Sequence, residues 1–129
     1  MSMAVKINRI LVPVDGSVSS TKATDEAIFF ASRCGAVLDF VYVESDINKD
    51  IPSAIIFAEL IKKMPEGVKA ETHSVSGNVA KSIIRLAGEL GSDMIIMGSR
   101  GLGIFRGALI GSVSQKVMEE SSIPVMVVK

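Results

Sequence analysis

Met94-Ile95-Ile96-Met97-Gly98-Ser99-Arg100-Gly101, followed after nine further residues by Gly111-Ser112-Val113-Ser114, is the stretch on which the fold is decided. Four apolar residues in succession have the character of a strand buried on both faces, and Val113, Val117 and Met118 recur at helical spacing. Strand, glycine-rich turn and helix therefore follow one another. A helix N-terminus offers unpaired N–H groups and a partial positive charge, and glycine lets the backbone approach a ligand closely, so the turn suits an anion such as phosphate.

Outward from this stretch the same alternation continues. Arg9 to Val14 reads as a first strand ended by Asp15-Gly16-Ser17, and Ser19 or Ser20 caps a helix with Ala23, Ala27, Phe30, Ala31 and Cys34 on one face. Gly35 ends that helix. Ala36 to Val43 is a second strand, Ser53 to Met64 a short helix stopped by Pro65-Glu66-Gly67, and Val68 to Val75 a third strand of alternating character. Asn78 caps a helix carrying Val79, Ile83, Leu86, Ala87 and Leu90, which Gly91 terminates before a fourth strand at Asp93 to Met97. The last helix starts near Ser112, and Pro124 opens a final strand, Val125 to Val128.

Five strands alternating with four helices predict one α/β domain over residues 1–129, with helices on both faces of a parallel sheet. Such sheets bind ligands where neighbouring strands send their connections to opposite sides. With strand order 3-2-1-4-5, that switch point falls between the first and fourth strands. The Asp15-Gly16-Ser17 turn and the Gly98 to Ser114 segment would then converge on one crevice.

Composition removes other classes. Fourteen Lys and Arg balance fourteen Asp and Glu, and one Tyr, five Phe and no Trp leave few stacking aromatics, so nucleic acid is not the expected partner. The single Cys34 excludes an intrachain disulfide, and no run of the sequence has the length of a membrane span, so a cytoplasmic address is expected. No Gly-Lys-Ser or Gly-Lys-Thr occurs, which excludes a P-loop. Gly101-Leu102-Gly103 with Gly107 misses the dinucleotide spacing, and no acidic residue follows about twenty positions on at the end of a next strand.

The chain resembles the nucleotide-binding branch of the universal stress proteins, whose signature is glycine, two residues, glycine, nine residues, glycine and serine or threonine. Gly98, Gly101, Gly111 and Ser112 satisfy it. Ile10-Leu11-Val12-Pro13-Val14-Asp15-Gly16-Ser17 and Ile123-Pro124-Val125-Met126-Val127-Val128 extend the resemblance over nearly the whole chain. It implies a three-layer α/β/α fold of the adenine nucleotide alpha hydrolase-like type, and a small regulatory protein that binds ATP, or AMP or ADP in its place, with Mg2+ carried by the phosphates. It places adenine and ribose against Pro13, Val14, Asp15 and Val43. Ribose and phosphates fall to the backbone of Met97, Gly98, Gly101, Gly111 and Val113 and to the hydroxyls of Ser112 and Ser114, with Arg100 and Arg106 as charge partners. It also implies a homodimer through the apolar edge strand Val125 to Val128, since an open edge invites pairing.

The middle departs from the family pattern. Glu44 to Gly67 is short, and its helix carries Ala54, Ile55, Ile56, Phe57, Ala58, Leu60 and Ile61, either to cover the core or to meet a partner. Tyr42 stands where many members have histidine. Asp15 reads as a nucleoside or metal contact or as an Asx-turn residue, His73 as a strand residue with no Cys or His partner nearby in sequence, and Cys34 as a small core residue. The phosphate loop has no lysine and no base beyond Asp15, so binding with at most slow hydrolysis is expected and no catalytic residue or protein-held metal is assigned. A slow ATPase or phosphotransferase and a nucleotide-free dimeric module are the alternatives.

Overall fold

The computed structural model describes residues 6–46, 52–100 and 110–129. Along them run β1 (Arg9–Pro13), α1 (Val18–Cys34), β2 (Val37–Glu44), α2 (Ser53–Lys63), β3 (Ala70–Ser76), α3 (Val79–Leu90), β4 (Met94–Gly98), α4 (Ser112–Glu120) and β5 (Val125–Val128). All pairings are parallel, and the order is β3-β2-β1-β4-β5. The expected switch point between β1 and β4 is present.

Alternation along the strands splits the core into two layers. Ile10, Val12, Leu38, Phe40 and Ile96 point to one face and pack with Ala23, Ala27 and Ala31 of α1 and Leu60 of α2. Leu11, Val41, Val43, Ile95 and Met97 point to the other, against Ile83, Leu86 and Ala87 of α3 and Val117 of α4. Small alanines on α1 let that helix lie close to the sheet, and each large aliphatic side chain removed from water contributes about 1.5–3 kcal/mol.

Local signals explain the helix ends, with one shift. Asn78 caps α3 by accepting from the Lys81 amide, and Gly35 and Gly91 close α1 and α3 in the left-handed conformation at φ 74° and 65°. The cap of α1, however, is Ser17, whose hydroxyl accepts from the Ser20 amide, and neither Ser19 nor Ser20 takes that role. The turn explains the difference: Gly16 at φ 82° brings Ser17 into the extended conformation a cap requires. Cys34 is also not a core residue. It is exposed on the last turn of α1, beyond the buried face that ends at Ala31.

Helix α2 divides its apolar residues. Leu60 is buried and Ile56 and Phe57 pack against the first layer, while Ile55 and Ile61 stay 61% and 52% exposed. Part of that apolar surface therefore covers core and part faces solvent.

Candidate functional site

Strands β1 and β4 lie side by side, Ile10 opposite Met94 and Leu11 opposite Ile95, yet their chains leave toward opposite layers. Beyond Pro13 and Gly98 the two chains therefore diverge, the arrangement in which sheets of this kind place a ligand crevice.

The β1 wall is a tightly bonded turn. The Val14 amide donates to the Val41 carbonyl at 2.9 Å, which extends the β1–β2 ladder past the strand end. Asp15 Oδ1 accepts from the Ser17 amide at 2.9 Å, so the Asx-turn reading of this residue holds. The Asp15 amide in turn reaches Ser20 Oγ at 3.3 Å. Helix α2 lies against this turn, with Ile56 Cδ1 only 3.6 Å from where a Cβ on Gly16 would sit. Val43 is buried near the end of β2, and Tyr42 beside it is buried too. Burial, and then the carboxylates of Glu44 and Asp15, push the Tyr42 hydroxyl above its ordinary pKa.

The β4 wall is closed by its own far end. The Gly111 amide donates to the Ser99 carbonyl, and Ser114 Oγ donates to the same carbonyl at 3.0 Å, so the two ends of the glycine segment meet. Gly111 is the N-cap of α4, in extended conformation, and no side chain accepts from the first turn of that helix among the described residues. Ser112, near which the helix is expected to start, is the first helical residue and is exposed. The amides of its first turn point toward the crevice end of the sheet with no intrahelical acceptor.

Of the residues assigned from sequence, the structure brings Pro13, Val14, Asp15 and Val43 to one wall and Met97, Gly98, Arg100, Gly111, Ser112, Val113 and Ser114 to the other. Ser114 is 2% exposed and its proton goes to backbone carbonyls, whereas Arg100 is exposed at the end of the β4 wall. Gly101 and Arg106 lie outside the described residues. Sequence reading missed a polar depression of about 460 Å³ next to Val43, lined by Glu44, Ser45, Asp46, Ser76, Gly77 and Asn78. Only the pairing of β2 with β3 brings those two strand ends together, and no local signal announces it.

A second polar group sits at the opposite end of the strands. Asp39 is fully buried on β2, where Arg9 Nε and Nη2 donate to its two oxygens at 2.9 and 2.7 Å, and His73 Nε2 lies 3.0 Å from Oδ1. Arg9 Nη2 also donates to Glu71. The ligand atoms of Asp39, Glu71 and His73 lie within 4.8 Å of one another, a spacing that a metal ion accepts. Here the guanidinium already supplies the positive charge, so the group acts as a staple across three strands. Burial raises the Asp39 carboxyl, but the hydrogen bonds from Arg9 and His73 outweigh it and hold the pKa below the ordinary value. The same bonds to Asp39 and Glu71 raise that of Arg9.

The parallel sheet, its two covering layers and the β1–β4 switch point define a doubly wound, three-layer α/β protein. The universal stress protein family model matches residues 6–129, and the chain belongs to that family. It is 30% identical to the universal stress protein YxiE of Bacillus subtilis, over 95% of this chain and 99% of that one. Its structure superposes on that of MJ0577, a universal stress protein of Methanocaldococcus jannaschii, with a TM-score of 0.82 and 26% identity over 97% of each chain. A universal stress protein solved in complex with cAMP gives a TM-score of 0.79 and 28% identity, covering 96% of this chain and 98% of that one. No described helix is long and apolar enough to cross a membrane.

Proposed function

We propose that this protein binds ATP in the β1–β4 crevice and acts as a small cytoplasmic stress-regulatory protein, reporting nucleotide state through partners rather than through rapid turnover. One observation carries the reading. The α4 first turn, whose cap Gly111 has no side chain to offer, starts where Gly111 is bonded to Ser99 just past β4, one of the two strands of the switch point, and a helix N-terminus of this kind favours an anion. The cAMP complex of a relative supports an adenine nucleotide as the guest. Adenine and ribose then lie along Pro13, Val14, Asp15 and Val43, and the phosphates meet the amides of Gly111, Ser112 and Val113 and the Ser112 hydroxyl. Magnesium arrives with the phosphates. Ser114 contributes by holding Ser99 and Gly111 together, because its proton is already donated there.

Hydrolysis is slow on this reading. The Asp15 carboxylate is engaged in its Asx turn, and the loop has no lysine to bear on the phosphates. A homodimer pairs β5 with its twofold mate. The test is calorimetric titration of the purified protein with Mg-ATP, with mass spectrometry of any nucleotide released on denaturation. Micromolar binding and co-purified adenine nucleotide are expected. Neither heat nor nucleotide would refute the reading, and ADP formed at many turnovers per minute would replace it with an ATPase.

A further inference from the structure

The first turn of α1 is rich in serine, Ser17-Val18-Ser19-Ser20, and its three hydroxyls have three different acceptor roles. Ser17 Oγ caps the helix through the Ser20 amide at 3.1 Å. Ser20 Oγ takes the Asp15 amide from the β1 wall at 3.3 Å. Ser19 Oγ takes the Arg100 amide from the β4 wall at 3.1 Å, 81 positions away along the chain. One helical turn thus holds the main chain of both crevice walls.

The Ser19 contact is the closer one. A Cβ on Gly98 would lie 2.5 Å from Ser19 Oγ, 2.7 Å from its carbonyl carbon and 2.8 Å from its carbonyl oxygen, so the β4 backbone runs directly against this residue. Gly98 is at ordinary negative φ or extended backbone, not among the glycines at positive φ, so close approach is what its missing side chain permits. The Arg100 amide then fixes the direction in which the chain leaves β4. One residue of chain, Ser99, connects that anchored amide to the Gly98 contact, and it carries the carbonyl on which Gly111 and Ser114 close.

We propose that Ser19 is a positioning residue for nucleotide. It sets where the Ser99–Arg100 segment stands and, through the Ser99 carbonyl, where the α4 first turn presents its amides. This rests on the crevice being the nucleotide site. Loss of the hydroxyl frees an exposed amide that water can satisfy, so folding stability changes little while the Ser99–Arg100 segment loses its anchor. A net hydrogen bond of this kind corresponds to roughly a three- to tenfold change in an equilibrium constant. Because a loosened Ser99–Arg100 segment no longer holds the α4 first turn against its guest, the change falls on the dissociation rate.

The experiment compares wild type, Ser19→Ala and Ser32→Ala by stopped-flow release of a fluorescent ATP analogue, with amide exchange at Arg100 followed by NMR in nucleotide-free protein. Ser32 lies on the same helix, with an exposed hydroxyl donated to the Ile28 carbonyl at 2.7 Å, and serves as the control. Ser19→Ala is expected to raise the dissociation rate roughly three- to tenfold and to speed Arg100 exchange. Its melting temperature should stay within about 2 °C of wild type, and Ser32→Ala should change none of these. An unchanged dissociation rate in Ser19→Ala, with wild type binding normally, overturns this inference alone. A faster release with unchanged Arg100 exchange overturns it too, since the hydroxyl would then act on the nucleotide directly. No binding by wild type overturns the nucleotide reading and this inference together.

Discussion

Asp39 and Arg9 meet through both carboxylate oxygens, at 2.7 and 2.9 Å, on a β2 carboxylate with no exposed side-chain surface. Burial without such a partner would make that position untenable for an ionised group, and the pairing decides the sign of its pH response. Folding lowers the Asp39 pKa, so the unfolded chain takes up the proton first as pH falls. The contribution is complete above the ordinary carboxylate pKa of about 4 and is lost as pH falls through the folded value. Asp39→Asn should cost about 2–3 kcal/mol at pH 7, at the low end for a buried pair because Arg9 keeps 30% exposure. Urea unfolding of both proteins at pH 7, 5 and 3 should show the gap narrowing in acid, and a constant gap would refute the staple.

Gly98 gives a second expectation. The atoms that a Cβ there would strike include the Ser19 backbone, which cannot rotate away. Gly98→Ala should destabilise by about 1–3 kcal/mol, lowering the melting temperature on the order of 5–10 °C. Gly88 sits in α3 with nothing within 4 Å of its missing Cβ, and Gly88→Ala should raise stability by about 0.5–1 kcal/mol. Calorimetric melting of the two variants decides it, and equal effects would show that the close approach is not what limits position 98.

These two glycines mark where sequence reading succeeded and where it stopped. The strand and helix pattern around Gly98 and Gly111 was legible because apolar runs and a 3.6-residue period survive translation into structure. Strand order was the premise from which the two turns converge, and the sheet has that order. What a missing Cβ makes room for was not legible: at 98 the neighbour is Ser19, and at 111 a Cβ would approach the Ser99 carbonyl to 3.2 Å. Both are contacts across long stretches of chain. The same reason hid His73, which finds Asp39 and Arg9 only when three strands align in register. The α1 cap was misplaced by two or three residues because four consecutive positions offered three serines, and only the Gly16 conformation selects Ser17.

A nucleotide test at position 111 is therefore confounded, since Gly111→Val would press on the Ser99 carbonyl whether or not a ligand binds there. Ser112 is the cleaner site, being exposed and first in the helix without serving as its cap. Ser112→Ala should weaken Mg-ATP binding by roughly tenfold to a hundredfold, the range for loss of one hydrogen bond to a charged oxygen. Melting without nucleotide should stay within about 1 °C of wild type. Equal affinities in the titration calorimeter would remove the Ser112 hydroxyl from the site.

The dimer proposed for β5 can be tested through the direction of its backbone groups. The Pro124 carbonyl accepts from the Ile95 amide and the Val128 carbonyl from the Ser99 amide, so the even-numbered residues of β5 face β4. In a strand the N–H and C=O of one residue point the same way, so Val125 and Val127 offer theirs outward at the sheet edge. Proline at 127 would remove an outward donor and leave every bond to β4 intact, because an edge strand tolerates proline on its open side. Val127→Pro should therefore fold with a melting temperature near that of dissociated wild type, yet sediment as a monomer at concentrations where wild type sediments as a dimer. A Val127→Thr control keeps the donor and should remain dimeric. If Val127→Pro stays dimeric, the two copies meet through another surface, and the exposed Ile55 and Ile61 of α2 become the first place to look.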